Sequence, residues 1–306
     1  MVPRPRAAGP AVAGPTGLRR GHHGKASPPR HRRYWTQPTR PLAAVNKKEE
    51  ELTMIEQVDL GRTGLRVSRL CFGTGSNGWE HRSNQSDLGV ERLAYLLRFA
   101  HERGITFWDT ADQYGTHRHV AAALQQVGRD RVTVTTKTVS RTGPEVHKDV
   151  ERFLQELGTD YIDILLLHCL TEAAWPTTMQ GPMEVLSRLK ERGLIRALGV
   201  SCHDFGAFQT AACTPWAEVV LARLNYGGKN TDAAPEQVIP VIEAMAAAGK
   251  GVYGMKVMGG GELTEDPPRA VRYVLGVPAV HAIVIGMMNE DQIDTNIGLV
   301  KAATTT

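Results

Sequence analysis

The chain has 306 residues, 42% of them hydrophobic and 22% charged, with a formal net charge of +4. That surplus is local: residues 1–48 hold eleven Lys and Arg and no Asp or Glu, leaving 25 basic against 32 acidic residues, a net of −7, for the rest. A net-acidic body offers no broad field to a nucleic acid, and no apolar run nears the ~20 residues of a membrane span, so neither partner is expected.

Residues 1–53 are rich in Pro, Gly and Arg and carry no apolar periodicity. Such a segment cannot bury enough surface to offset its ordering entropy, and it reads as a disordered tail. Three origins are open: translation starting upstream of a true start at Met54, a linker or targeting extension that is acidic-poor but nearly serine-free, or a basic RNA-binding arm. Residues 54–306 read as one folded domain. Its cysteines, Cys71, Cys169, Cys202 and Cys213, form no C-x-x-C pair. That suits a reducing, cytoplasmic setting rather than a disulfide or zinc scaffold.

From residue 55 a rhythm repeats in which a short apolar run ends in a polar residue or glycine and an amphipathic segment follows. The runs span 69–75, 105–111, 131–137, 162–168, 195–201, 218–225, 251–257 and 282–286. The segments between include GVERLAYLLRFAHERG, PEVHKDVERFLQELG and PEQVIPVIEAMAAAG, each closed by a glycine of the kind that stops helices. Eight such alternations predict an α/β fold of the (β/α)8 TIM barrel type, with parallel strands and crossover helices. A doubly wound sheet fits less well, because no G-x-G-x-x-G opens a helix after the first run. Ahead of that run, VDLGRTGLRVSRL predicts an N-terminal β-hairpin turning at Thr63-Gly64 and closing the lower mouth of the barrel.

Barrel chemistry gathers where strands end. Reading those ends gives Asp109, Lys137 and His168, with Tyr114 in the loop after the second run. A phenol of pKa ~10 is a poor proton donor at neutral pH. A buried ammonium beside it favours the phenolate and draws that pKa down, and a carboxylate keeps the ammonium charged. An imidazole at the next strand end can orient a carbonyl. Singly, His168 is commonly a core residue, Asp109 a helix cap and Lys137 a rim ion pair; four matching types at consecutive strand ends point to a proton donor for a developing alkoxide.

On LGRTGLRVSRLCFGTG, DTADQYG, TTK, IDILLLH, ERGLIRALGVSCH, GMKVMGGGEL and AIVIGMMNEDQIDTNI, taken in this order, residues 56–302 resemble the aldo-keto reductases. The resemblance implies Tyr114 as general acid-base, Lys137 and Asp109 tuning it, His168 positioning the carbonyl, and hydride from a nicotinamide cofactor. It implies NADP(H), held by Gly73, Thr74 and Gly75 of the first motif, by Ser201 and Cys202, by Gly259, Gly260 and Gly261, and by Gly286, Met287, Met288, Gln292 and Asn296. A glycine triplet lets backbone amides approach a diphosphate, and the last helix would offer its N-terminal amides.

Several positions depart from the family pattern. Cys202 stands for an asparagine and Leu221 for a glutamine at the carboxamide grip. No Lys or Arg lies in residues 286–296, where Glu290 and Asp291 stand instead, so NAD(H) is an open alternative. The short C-terminus predicts an open pocket for a small carbonyl substrate, walled by Trp79, Trp175 and His203. The oligomeric state is left open. Two rival readings stand beside the reductase: a nucleotide-binding regulator on a reductase scaffold, motivated by the altered positions, and a metal-dependent barrel hydrolase using Asp109, His168 and His203. Against the hydrolase, the first run lacks H-x-H and the last ends in Gly286, so no metal is expected.

Overall fold

The computed structural model describes residues 54–305; the expectations for residues 1–53 fall outside that span. The hairpin forms from β1 (Gln57–Asp59) and β2 (Arg66–Ser68), which pair antiparallel. Its turn is wider than two residues: Leu60 N donates to Leu65 O at 2.8 Å, and Thr63 Oγ1 bonds Leu60 O at 2.7 Å. Leu60, Leu65 and Val67 are buried among barrel-interior residues such as Phe107, Ile164 and Val219. Arg62 N donates to Gly249 O at 2.8 Å, just before the strand that opens at Gly251, so the hairpin closes the N-terminal mouth.

Eight parallel strands then close into a barrel: β3 (Leu70–Gly73), β4 (Phe107–Asp109), β5 (Thr133–Thr138), β6 (Ile162–Leu170), β7 (Ile195–Cys202), β8 (Val219–Arg223), β9 (Gly251–Met255) and β10 (Ala282–Gly286). Each lies within or overlaps one apolar run. β5 and β7 run one residue past their expected ends, at Thr138 and Cys202, and β6 runs two, to Leu170, through a register shift between Leu167 and Leu170 at which Cys169 takes a left-handed backbone, φ 57°.

Helices α1 (Val90–Glu102), α2 (His117–Val127), α3 (Gly143–Leu157), α4 (Trp175–Thr178), α5 (Gln180–Glu191), α6 (Phe205–Cys213), α7 (Pro235–Ala247), α8 (Pro267–Leu275) and α9 (Glu290–Thr304) form the outer layer. In α3, Pro144 sits in the first turn, and Val146, Val150, Phe153 and Leu157 are buried at spacings of four, three and four, the stripe of an amphipathic helix. Burial of each such side chain contributes ~1.5–3 kcal/mol at most. The helix stops at Gly158, φ 62°, whose N–H and that of Thr159 close on Gln155 and Leu154. No helix among the described residues is long and apolar enough to cross a membrane.

Candidate active site

Strand parity decides which side chains meet. In β8, Val219 and Leu221 pack inside the barrel and Val220 and Ala222 outside it. Carried to the C-terminal ends, that alternation turns Asp109, Lys137, His168, Ser201, Arg223 and Met255 inward, one from each strand β4–β9, with Gly73 and Gly286 completing the ring.

The Lys137 side chain is fully buried and its Nζ donates to Asp109 Oδ1 at 2.6 Å and to Thr110 O at 2.8 Å. The second carboxylate oxygen accepts from the Tyr253 hydroxyl at 2.8 Å. A buried ion pair is tolerable when its remaining hydrogen-bonding capacity is met, and this one has both carboxylate oxygens engaged. Two of the three ammonium protons are thereby used, leaving the third for the phenol of Tyr114, whose ring centroid lies 4.7 Å from Nζ. Burial works against the Lys137 charge, but Asp109 and the Tyr114 hydroxyl outweigh it and hold its pKa above the ordinary value. Lys137 is an ammonium at neutral pH.

Tyr114 closes the short turn Asp112–Tyr114 and is half-buried beneath the loop that follows β3. A Cβ at Gly75 would stand 2.3 Å from its ring, and one at Gly78 2.5 Å, so both glycines are needed for that loop to lie on it. Burial pushes the phenol above its ordinary value of 10.0, with Lys137 pulling in the opposite direction. The net direction differs from the lowering that the sequence suggests, because dehydration of a phenolate outweighs one ammonium already paired with a carboxylate. A phenol so held is protonated at neutral pH. His168 meets Tyr114 edge-on with centroids 5.8 Å apart. Burial, then Lys137, His203 and Arg141, push its pKa well below 6.5, so the imidazole is neutral, and its Nδ1 is buried with no partner among the described residues.

The catalytic turn is anchored from behind. Arg152 of α3 donates to Asp112 at 2.7 Å, Asp149 at 2.9 Å and Glu156 at 3.2 Å. His117 joins Glu156 to Thr136, beside Lys137, through contacts of 2.7 Å each.

The expected cofactor residues divide. Ser201 faces inward and its Oγ accepts from Cys169 N at 3.2 Å. Thr74 ties the first loop to the catalytic strand, its Oγ1 donating to Asp109 O at 2.9 Å. Gly259, Gly260 and Gly261 form a left-handed turn, with φ of 59°, 71° and 108°, directly after β9, and a Cβ at Gly261 would touch nothing within 4 Å. That open backbone and the unpartnered His168 Nδ1 suit a diphosphate-bearing nicotinamide group. At the start of α9 the amides are already engaged: Gln292 N on Asn289 Oδ1 at 2.9 Å and Met288 N on Gln292 Oε1 at 2.8 Å. Asn296 Nδ2 donates to Gln292 O at 2.8 Å. Ser76 and Gln85 lie against Gly286, within 2.0 and 2.7 Å of where a Cβ would stand.

Three expectations need correction. Cys202 and Met287 pack in the outer, helix-facing core because they follow an inward residue, and the next strand position faces out. Trp175 is buried in that same layer, its Nε1 bonded to Ala207 O at 3.1 Å and its ring against Trp216, so it walls no open pocket. Trp79 is 52% exposed in the loop over Tyr114, and His203 stands at the mouth with its ring centroid 6.4 Å from that of His168. The ligand set Asp109, His168 and His203 does not form a donor cluster, since Asp109 is committed to Lys137 and Tyr253. Donor atoms of Asp112, His117 and Glu156 do converge within 4.8 Å, but the Arg152 guanidinium bonds two of them and takes the cation's place.

Tyr253, Arg223 and Met255 are inward residues that escaped the sequence reading. Tyr253, partner of Asp109 across 144 residues, has no local signal. Arg223 could have been found, because it follows Leu221 at the inward period of two.

The sequence profile of the aldo/keto reductase family matches residues 69–269. L-galactose dehydrogenase of Arabidopsis thaliana is 24% identical over 293 residues, covering 81% of this chain and 89% of that protein. An NADH-specific methylglyoxal reductase of Escherichia coli is 30% identical over 173 residues, 49% of this chain and 53% of its own length, so only about half of that relative is spanned. A structure from Pseudomonas aeruginosa assigned to the aldo-keto reductases superposes with a TM-score of 0.68 at 26% identity, covering 81% of this chain and 94% of the other.

Proposed function

The chain belongs to the aldo/keto reductase family, and on that premise we propose that it reduces an aldehyde or ketone with a nicotinamide cofactor, Tyr114 serving as the general acid. The observation that carries the reading is the buried Asp109–Lys137 pair with the Tyr114 ring 4.7 Å from its ammonium. When bound, the cofactor supplies the hydride. The protein's part is the proton. The neutral His168 imidazole holds the carbonyl oxygen toward Tyr114, and the phenol O–H passes its proton to that oxygen as it becomes an alkoxide. The phenolate left behind is stabilised by the Lys137 ammonium, which Asp109, Thr110 and Tyr253 keep in place. In the reverse direction the phenolate accepts a proton from an alcohol.

We assign Gly73, Thr74, Ser201 and the turn Gly259–Gly261 to cofactor binding, and Trp79 and His203 to the substrate side. Either nicotinamide dinucleotide is a candidate. The absence of Lys and Arg from residues 286–296, and the engagement of Glu290 by Arg92 at 2.6 Å, favour NAD(H) over a 2′-phosphate. Residues 54–306 constitute the catalytic unit, and four cysteines without a disulfide suit a cytoplasmic setting.

A panel of aldehydes and ketones run with NADH and with NADPH tests the proposal. Carbonyl-dependent oxidation of one cofactor is expected, and Tyr114→Phe should lower kcat by at least ~100-fold. Full turnover in that variant would remove the mechanism. Tight cofactor binding without turnover on any carbonyl would instead favour a regulatory protein.

A further inference from the structure

Three cations besides Lys137 converge on the same mouth. Arg223 points inward from the end of β8; its side chain keeps 15% exposure, Nη2 donates to the nearly buried Asp232, and Nε is shut from solvent with no partner among the described residues. Lys256 follows Met255, the residue facing Arg223 across β8 and β9, and takes a left-handed backbone with φ 61°. It is exposed, and its ammonium enters no ion pair or hydrogen bond among the described residues, while its backbone carbonyl accepts from Gly259 N at 2.7 Å and Asn225 Nδ2 at 3.0 Å. Arg141, after β5, is held by backbone oxygens rather than a carboxylate: Nη2 donates to His168 O at 2.7 Å and Cys169 O at 3.2 Å. Glu172 acts on it only from the exposed side.

His203 stands among them, its Nε2 3.6 Å from Cys169 Sγ. One-sided burial, then Arg223 and with it Lys256, bring its pKa to about 4 against the pull of Asp232, so at neutral pH it adds no charge. Lys137 is balanced by Asp109 and Arg223 by Asp232; Arg141 and Lys256 have no carboxylate in contact. A cleft with unbalanced positive charge and a low-dielectric wall draws an anion. The rings of Tyr114, His168 and His203 follow one another at centroid distances of 5.8 and 6.4 Å. A molecule with its carbonyl at Tyr114 therefore has its far end beside His203, Arg223 and Lys256.

We propose that Arg141, His203, Arg223 and Lys256 form an anion-accepting subsite, and that the substrate is an oxo acid, an aldehyde or ketone that carries a carboxylate beyond its carbonyl. The inference rests on the reductase reading for the reaction, but the subsite stands on its own geometry. The same cations could instead meet the cofactor diphosphate, since Lys256 precedes the turn Gly259–Gly261.

The test compares 4-carboxybenzaldehyde with its methyl ester at saturating cofactor, and the binding of 4-(hydroxymethyl)benzoate with that of its methyl ester by thermal shift. In the parent protein the acid should exceed the ester in kcat/KM by about tenfold or more, with the preference shrinking as salt rises. Lys256→Gln and Arg223→Gln should each lower the acid-to-ester ratio several-fold; the Lys256 ammonium has no partner to lose, so its variant stays informative if Arg223→Gln does not fold. Equal kcat/KM for acid and ester overturns the subsite while leaving the reductase intact. A variant that raises KM for the cofactor and leaves the acid-to-ester ratio unchanged assigns the cations to the diphosphate and also overturns it. If no carbonyl is turned over, the reductase reading falls, and the binding arm still decides: tighter binding of the acid than the ester sustains the subsite, and equal binding removes it.

Discussion

Tyr114 and Lys137 set opposite demands on the water around them: the phenol is to stay protonated until it reacts, and the ammonium is to stay charged although buried. Both demands are met, since each pKa lies above its ordinary value, the phenol through burial and the lysine through Asp109 despite burial. Carbonyl reduction is therefore expected to be flat in pH across neutrality and to fall only on the alkaline side, where the phenol ionises; a pH profile of kcat/KM with a break below pH 8 would contradict this. Tyr253→Phe strips the carboxylate of one of its two partners without exposing it. A loss of about 1–3 kcal/mol in denaturant unfolding is expected, together with a drop in kcat, because the carboxylate is then freer to turn away from Lys137.

At the level of elements, two devices hold the site without touching it. The hairpin loop passes so close to β9 that a Cβ at Gly61, φ 57°, would lie 2.4 Å from Gly251 N, a backbone atom that cannot step aside. Gly61→Ala should lower the melting temperature sharply, and Leu60→Ala, which empties a fully buried position, should cost about 2–5 kcal/mol. The second device is Arg152, whose contact with Asp112 ties α3 to the turn that carries Tyr114, while Asp149 and Glu156 of the same helix hold its guanidinium in place. Its side chain is 39% exposed, so stability should change little in Arg152→Gln, whereas kcat should fall by roughly tenfold or more as the phenol loses its register. Equal kcat in that variant would show that the turn keeps its place unaided.

For the whole molecule, the titrations point the same way. Glu156 has its pKa lowered chiefly by its bond to His117, so its contribution is complete above the ordinary value of 4.5 and is lost as pH falls through the lowered one. His168 is held neutral well below 6.5, so the unfolded chain takes up its proton first and stability again declines on the acid side. Acid unfolding is thus expected well before alkaline unfolding. Glu156→Gln should be less stable than the parent at pH 7, with the gap closing as pH falls below 4.5 in urea titrations; a gap independent of pH would show that the carboxylate charge plays no part.

The sequence by itself determined the barrel, the closing hairpin and the four rim residues. Those features are written locally: short apolar runs, glycine helix stops and the residue types at strand ends follow from neighbours a few positions away. Tertiary structure decided what parity and long-range approach control. Cys202 and Met287 face the helices because a single step along a strand reverses the side chain, and Gly75 serves the Tyr114 ring because the loop after β3 folds back onto it. Tyr253 reaches Asp109 across the closed barrel, a meeting that exists only once eight strands have curled their inner faces onto one axis.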